Sequence, residues 1–207
     1  MCAVFVIHTV CLICPSVEIP ETKICLVPVP ACSWKKHLKL IQSCFDATWR
    51  TNIVISVFQA LHQRILDNNF GIVRCKDLVW RRQDSERFYA EHSGLETIHF
   101  GPMRAYILAR EDAISHWREL MGPTKVFRAR FNSPASIRGQ FGLTDTRNTT
   151  HGSDSLESAQ REITFFFPDF CADEWMKKEE PLFRSGQIRY DHQNQIHTLS
   201  LSIKHTS

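Results

Sequence analysis

The sequence predicts a compact fold in which helices and strands form packed layers, and two observations lead to this prediction. The 207 residues are 43% hydrophobic and 23% charged, the composition of a globular chain long enough for one domain with a core. From Val57 onward, segments with apolar residues at helical spacing alternate with single apolar runs and turn residues. This alternation favours a layered α/β arrangement.

The predicted elements follow one another at short intervals after Val57. Their order is helix 57–69, strand 70–74, helix 84–92, strand 103–109, helix 112–121, a long loop 125–142 and helix 154–166. Asp84 or Ser85 is the expected cap of the second helix, and Gly122 closes the third. Asp154, with Glu157 three residues later, predicts a capping box at the start of the last helix.

The first 56 residues follow different compositional rules. Six of the eight cysteines lie in the first 44 residues, and all eight glycines lie from Gly71 onward. Cys11 and Cys14 have a C-x-x-C spacing, but the second pair that a structural zinc site commonly uses is missing, which favours free thiols. We predict an irregular segment over 1–56 with at most one or two short strands.

The opening residues 1–14 are almost entirely apolar and resemble the apolar region of a signal peptide. They lack the positively charged residues that precede such a region. The first 22 residues contain no Arg or Lys but two Glu, which disfavours a mitochondrial presequence as well. We expect an intracellular protein, cytoplasmic or mitochondrial.

Charge and hydropathy exclude some classes of function. Lys plus Arg is 25 against 22 for Asp plus Glu, so the chain lacks the basic excess of a dedicated nucleic-acid binder. Nucleic-acid binding would rest only on scattered arginines such as Arg128, Arg130 and Arg138, and we rank it last. No apolar stretch reaches the length of about 18 residues that a spanning helix needs.

The residues with a chemical signature lie just before the last predicted helix. His151 is followed by Gly152, Ser153 and Asp154, where the amides of a helix start collect and favour anionic groups such as phosphate. Glu162 comes eleven residues after His151, two turns into the helix, from where its carboxylate can return to orient the imidazole.

The run from Arg147 to Ser155 reads Arg-Asn-x-x-His-Gly-Ser-Asp-Ser and resembles the signature of the nucleoside diphosphate kinases. Matches continue on both sides and cover about residues 57–185. The resemblance implies an α+β fold: a ferredoxin-like, four-stranded antiparallel sheet with helices packed on one side, incomplete or altered at the N-terminus. We therefore divide the chain into a divergent segment 1–56, a kinase-like domain 57–172 and an extension 173–207. The extension is predicted to be mostly irregular apart from a short helix at 173–178.

The resemblance also implies a role for each site residue. His151 is the phosphorylated nucleophile, and Glu162 and Ser153 orient it. The other roles are an aromatic neighbour of the histidine at Tyr89, a phosphate clamp at Arg118, Arg138 and Thr124, and a ribose contact at Asn148. Magnesium would be bound through the nucleotide phosphates, with Asp154 at most a water-mediated contact and no dedicated metal site.

The implied function is a ping-pong transfer of the γ-phosphate of ATP to nucleoside diphosphates through phospho-His151. ATP and nucleoside diphosphates are the expected partners, a homo-oligomer is left open, and neither a membrane nor a nucleic acid is expected. The alternative is a catalytically weak or inactive member that acts as a binding or regulatory protein.

The sequence departs from the family in three places, and the first two departures favour this alternative. The first strand's Lys-Pro-Asp, expected near Thr48, is absent; the segment Ala90–Phe100 is shorter than the family's base-clamping hairpin; and Gly122–Arg138 is longer than usual.

Overall fold

The computed structural model describes residues 2–8, 56–88 and 101–200. Within them, one antiparallel sheet has the strand order β1-β3-β2. The strands are β1 (Cys2–His8), β2 (Gly71–Trp80) and β3 (Gly101–Glu111). In the central strand β3, Ile107 lies opposite Val6 of β1 and Arg74 of β2. Three strands of the expected four therefore lie in the described part of the chain.

Eight helices and a hairpin accompany this sheet in the described ranges. The helices are α1 (residues 56–67), α2 (Arg82–Phe88), α3 (Ala113–Met121), α4 (Val126–Asn132), α5 (Ile137–Phe141), α6 (Leu156–Phe166), α7 (Ala172–Lys178) and α8 (Glu180–Arg184). The hairpin pairs β4 (Ile188–Asp191) with β5 (Ile196–Leu199). None of these helices is long and apolar enough to cross a membrane.

Helices cover both faces of the sheet, which corrects the expectation of helices on one side. Tyr106 and Leu108 of β3 pack into a core with α1 and α3. Ala105 and Ile107 point the other way and pack into a core with α6, α7 and α8. The run Ala105–Leu108 is apolar at every position, the pattern of a strand that is buried on both faces rather than on one.

The N-terminal apolar run forms a strand. Residues Cys2–His8 pair with β3 along their whole length, from Cys2 opposite Glu111 to His8 opposite Ala105. A continuous apolar run of this length fits a β-strand as well as it fits the apolar region of a signal peptide. Residues 9–55 of the predicted irregular segment lie outside the described residues.

The prediction of a long loop at 125–142 is wrong, because this segment contains α4 and α5. Val126 and Ala129 of α4 are buried, as is Ile137 of α5. The Ser136 side chain accepts a hydrogen bond from the Gly139 N–H and so caps α5. Both helices are short and are separated by turn residues, so the helical period is not visible in the sequence.

The prediction of a mostly irregular C-terminal extension is also wrong. The expected short helix is present as α7, but α8 and the β4–β5 hairpin follow it. Asp191 shapes the hairpin turn, since its Oδ1 accepts hydrogen bonds from the N–H groups of Gln193 (2.9 Å) and Asn194 (3.3 Å). Residues 173–200 of the extension are thus an ordered part of the fold.

Candidate active site

His151 is held by a carboxylate of the helix that follows it. Nε2 of His151 lies 2.9 Å from Oε1 of Glu162, which is buried in α6. Oε2 of Glu162 accepts a hydrogen bond of 2.8 Å from the buried Ser153 hydroxyl. Both carboxylate oxygens are therefore engaged, and the imidazole has one defined orientation. The structure brings these three predicted residues together.

The start of α6 has a capping box, but one residue later than expected. Ser155, rather than Asp154, is the cap: its side chain accepts from the Ser158 N–H, and the Ser158 hydroxyl accepts from the Ser155 N–H. Asp154 lies just outside the helix with an exposed side chain. The pKa of its carboxyl is lowered chiefly by a hydrogen bond with Ser158, and further by the nearby Arg118 and His151.

At the start of α2, Asp84 is not the cap either. It lies in the first turn of the helix, and its Oδ2 accepts a hydrogen bond of 3.0 Å from the Arg81 N–H.

Gly152 is needed for packing against Trp117. A Cβ at this position would lie 2.4 Å from Cδ1 of Trp117. The indole Nε1 of the buried Trp117 donates to the His151 carbonyl oxygen at 3.4 Å. The close neighbour of this glycine is thus an aromatic ring of α3, which fixes the backbone of the histidine.

Strain and unsatisfied polar groups lie just before the histidine. Thr149 has a φ of 78°, a left-handed conformation that is rare for a β-branched residue. The Oγ1 atoms of Thr149 and Thr150 are buried and have no hydrogen-bond partner within the described residues. Both features identify a segment whose conformation is imposed by its surroundings.

Arg138 is a buried cation whose hydrogen bonds, within the described ranges, go to uncharged oxygens. Its Nη1 donates to the Gly122 carbonyl (2.9 Å) and the Thr124 hydroxyl (3.4 Å), and its Nη2 to the Thr150 carbonyl (3.0 Å). Burial, together with the positive charge of Arg118, lowers the pKa of Arg138 to about 10. The Arg138 side chain is only 8% exposed, so its charge faces low-dielectric protein.

Arg118 and Asn148 complete the predicted set. Arg118 lies exposed in the last turn of α3, close enough for its charge to act on both Arg138 and Asp154. The Asn148 side-chain amide donates to the Thr124 carbonyl oxygen at 3.4 Å. The positive charges of Arg118 and Arg138 thus act on one another, an arrangement that an anion such as a phosphate would stabilise.

The sequence did not predict that Phe88 contacts the histidine. The Phe88 ring of α2 lies 6.0 Å from the His151 imidazole at an angle of 83°. Phe88 itself packs against Phe165 and Phe166 of α6. The predicted aromatic neighbour, Tyr89, lies outside the described residues. The adjacent aromatic residues at positions 88 and 89 indicate an aromatic contact with the histidine, but the sequence does not show which of the two rings faces the imidazole.

No group of three or more His, Cys, Asp or Glu side chains that could hold a metal ion occurs in the described part of the chain. Cys75 and Cys171 are free thiols there. Cys11 and Cys14 lie outside it.

Comparison with known proteins identifies the family. The nucleoside diphosphate kinase domain matches residues 51–171. Nucleoside diphosphate kinase 6 from Danio rerio is 64% identical over 157 residues, which cover 72% of this chain and 87% of that protein. The protein of the same name from Xenopus tropicalis is 54% identical, and the match covers 80% of this chain and 96% of that protein. The one from Homo sapiens is 55% identical, and the match covers 68% of this chain and 80% of that protein.

Comparison with solved structures supports the same fold. A crystal structure of the Aquifex aeolicus nucleoside diphosphate kinase superposes with a TM-score of 0.57 at 25% identity, covering 84% of this chain and 99% of that one. The enzyme from Encephalitozoon cuniculi gives a TM-score of 0.55 at 21% identity, which supports the fold alone. The α+β prediction, with antiparallel strands and helices packed on them, is confirmed.

Proposed function

The chain belongs to the nucleoside diphosphate kinase family, and from that premise we propose that it moves the γ-phosphate of ATP to nucleoside diphosphates through a phosphorylated His151. The observation that carries the proposal is the pairing of His151 with Glu162, together with Arg138, which donates to the carbonyl oxygen of the preceding Thr150 and is within electrostatic reach of Arg118. Phosphoryl transfer needs a positioned nucleophile and neutralisation of phosphate charge, and these residues supply both.

The nucleophile is Nδ1 of His151. An ionised carboxylate only accepts hydrogen bonds, so Glu162 favours the tautomer with hydrogen on Nε2 and the lone pair on Nδ1. Nδ1 forms a bond to the γ-phosphorus while the bond from that phosphorus to the bridging oxygen breaks, and ADP leaves with the electron pair. Glu162 stabilises the positive charge that develops on the ring.

The second half-reaction reverses these steps on another nucleotide. A terminal phosphate oxygen of the nucleoside diphosphate attacks the phosphorus, and the N–P bond breaks to return the neutral imidazole. Ser153 holds the second oxygen of Glu162 throughout, so the ring keeps its orientation in both directions.

Arg118, Arg138 and Thr124 would bind the phosphates. Arg138 is fixed by two backbone carbonyls and so presents a pre-oriented charge, whereas exposed Arg118 can adjust to the ligand. Asn148 would contact the ribose hydroxyl. The magnesium ion that accompanies the nucleotide would be bound by the phosphates, with Asp154 near enough for a contact through water.

A labelling experiment tests this function. Incubated with magnesium and ATP labelled at the γ-phosphate, the full chain should acquire label that is lost in acid and kept in alkali, as a phosphohistidine is. His151→Ala should abolish the label. His116→Ala is the matched control, because His116 lies on the neighbouring α3 with its Nδ1 beside the Asp112 carbonyl oxygen, and this variant should label normally. A folded wild-type chain that acquires no label would refute the enzymatic function.

A further inference from the structure

The turn that precedes Asn148 is closed by hydrogen bonds within it. The Arg147 N–H donates to the Thr144 carbonyl oxygen at 3.0 Å and to the Thr144 hydroxyl at 3.1 Å. The Leu143 N–H donates in turn to the Arg147 carbonyl oxygen at 2.9 Å. Residues 144–147 therefore form a tight turn with Asp145 at its second position, and this turn limits where the Asp145 side chain can reach.

Asp145 reaches from this turn to the start of α4. Its Oδ1 accepts a hydrogen bond of 2.9 Å from the Val126 N–H. Val126 is the first residue of α4, and Lys125, at the cap position, makes no capping hydrogen bond with its side chain. The first N–H groups of a helix have no acceptor within the helix, so Asp145 supplies the acceptor that the cap residue lacks.

A second contact joins α4 to the same loop. Nη2 of Arg130, in the last turn of α4, donates to the Gly142 carbonyl oxygen at 2.6 Å. Gly142 also packs closely on the helix, since a Cβ at this position would lie 2.7 Å from Cγ2 of Val126. The first and last turns of α4 are thus both attached to the segment 142–147.

Thr124, which lies just before α4, depends on this attachment. Its hydroxyl accepts from Arg138 and its carbonyl oxygen accepts from the Asn148 amide, both at 3.4 Å. These two contacts are longer than most hydrogen bonds of their kind and hold the backbone weakly. The shorter bond between the Val126 N–H and Asp145 comes two residues after Thr124, so it fixes the backbone that carries the Thr124 hydroxyl.

We propose that Asp145 is a positioning residue of the nucleotide site. By holding the first N–H of α4 against the turn, it keeps the Thr124 hydroxyl, which would bind a phosphate, in place relative to the Asn148 amide, which would contact the ribose. This inference rests on the proposed function, from which it takes the roles of Thr124 and Asn148. Asp145 acts as a hydrogen-bond acceptor within the protein, so an amide oxygen in its place should serve as well.

The first experiment measures nucleotide use and binding by the full chain. Asp145→Ala should raise the KM for ATP about fivefold and weaken the binding of magnesium-bound ADP by a similar factor. The kcat should change by less than about twofold, since the reacting histidine and its carboxylate are untouched. Asp145→Asn keeps an oxygen that can accept from the Val126 N–H, and it should restore both values to within about twofold of the wild type.

Thr146→Ala is the matched control. Thr146 is exposed in the same turn, and its hydroxyl lies 3.1 Å from the Thr144 hydroxyl, so this variant should behave as wild type. An Asp145→Ala chain with the KM and the ADP affinity of the wild type would overturn the positioning role. So would an Asp145→Asn chain as impaired as Asp145→Ala, because the charge rather than the hydrogen bond would then be needed.

The binding measurement distinguishes a failure of this role from a failure of the proposed function. A wild-type chain that binds magnesium-bound ADP but acquires no label on His151 would refute the kinase, while the affinities of the Asp145 variants would still decide the positioning role. A wild-type chain that does not bind this nucleotide would overturn both.

The second experiment removes the donor instead of the acceptor. Proline has no N–H but fits the first position of a helix, and Lys125 already has the extended conformation (ψ 115°) that precedes proline. Val126→Pro should therefore weaken the binding of magnesium-bound ADP as Asp145→Ala does, and the double variant should bind no more weakly than Val126→Pro alone. Additive losses would overturn the proposal. If neither single variant folds, amide exchange in the wild-type chain decides: a Val126 N–H without protection would overturn the contact.

Discussion

Glu162 joins His151 to a buried serine: its Oε1 lies 2.9 Å from Nε2 of the imidazole, and its Oε2 accepts a hydrogen bond of 2.8 Å from the Ser153 hydroxyl. The carboxylate is rooted in α6, whose first turn is fixed by the reciprocal contacts of Ser155 and Ser158. The cap fixes the start of the helix that carries the carboxylate, and the carboxylate in turn orients the imidazole.

Removal of the Glu162 carboxylate should slow phosphorylation of His151. We expect Glu162→Ala to slow labelling by about tenfold or more, because an imidazole that is not held samples unproductive orientations. Glu162→Gln keeps a hydrogen-bonding group but not the negative charge, so it should retain part of the rate. The measurement is single-turnover labelling with γ-labelled ATP. Equal rates in all three proteins would show that Glu162 does not position the ring.

Arg118 should contribute to nucleotide binding without supporting the fold. Its side chain is exposed at the end of α3, so Arg118→Ala should leave the melting temperature within about a degree or two. Loss of a charged phosphate contact costs about 2 kcal/mol, which predicts roughly thirtyfold weaker use of ATP. Arg128→Ala on the neighbouring α4, also exposed, is the matched control and should behave as wild type. An Arg118→Ala chain with unchanged ATP dependence would remove Arg118 from the clamp.

The site could be predicted from the sequence where its geometry is local. His151, Ser153 and Glu162 lie within twelve positions of one helix start, so a single motif and the helical repeat place them together. The environment of Arg138 is harder to predict, because its burial and its contacts with Gly122 and Thr150 depend on the packing of α5.

The helices and the hairpin that the sequence did not predict share one physical cause. The helices α4 and α5 and the β4–β5 hairpin are short, and tertiary contacts rather than a visible period stabilise them. Strand β1 was hidden for a different reason, since a continuous apolar run has no alternation to identify it as a strand. Phe88 and His151 are far apart in the sequence, so no local sequence pattern predicts their contact.

A side chain at position 152 should destabilise the protein. The Cβ of Gly152→Ala would lie 2.4 Å from Cδ1 of Trp117, so the ring or the loop must move. Such overpacking costs about 1–3 kcal/mol, which denaturant unfolding should detect. Trp117→Leu alone should also lower the free energy of unfolding. The double variant with Gly152→Ala should lose less free energy than the two single variants together, because the smaller Leu side chain leaves space for the added Cβ. Strict additivity would contradict the contact.

Stability should fall when the buried His62 becomes able to protonate. Burial, with the charge of Arg104, lowers its pKa from 6.5 to about 4, so the folded state prefers the neutral ring. Above pH 6.5 the ring is neutral in both states. Between pH 6.5 and 4 the unfolded chain binds more protons, so the free energy of unfolding should drop by about 3 kcal/mol over this window.

The check is denaturant unfolding at a series of pH values, with the matched variant His62→Gln. This variant loses the titrating group and should show a shallower slope between pH 6.5 and 4, although it is less stable at pH 7 because Tyr106 and Tyr190 lose a partner. The control His192→Ala removes an exposed histidine and should keep the wild-type slope. A wild-type slope in His62→Gln would assign the pH dependence to other groups.

Discharge of the labelled enzyme should distinguish a kinase from a protein that only becomes phosphorylated. We expect the phosphorylated chain to pass its label to added nucleoside diphosphates, and we expect Asn148→Ala to weaken this step by about tenfold while leaving hydrolytic stability of the label unchanged. The reason is that Asn148 is proposed to contact the ribose and not the reacting phosphorus; within the protein its side-chain amide donates to the Thr124 carbonyl oxygen. If label forms on His151 but no nucleoside diphosphate removes it, the chain takes ATP without completing turnover. The shortened segment Ala90–Phe100, in place of a full base clamp, would then be the first region to restore.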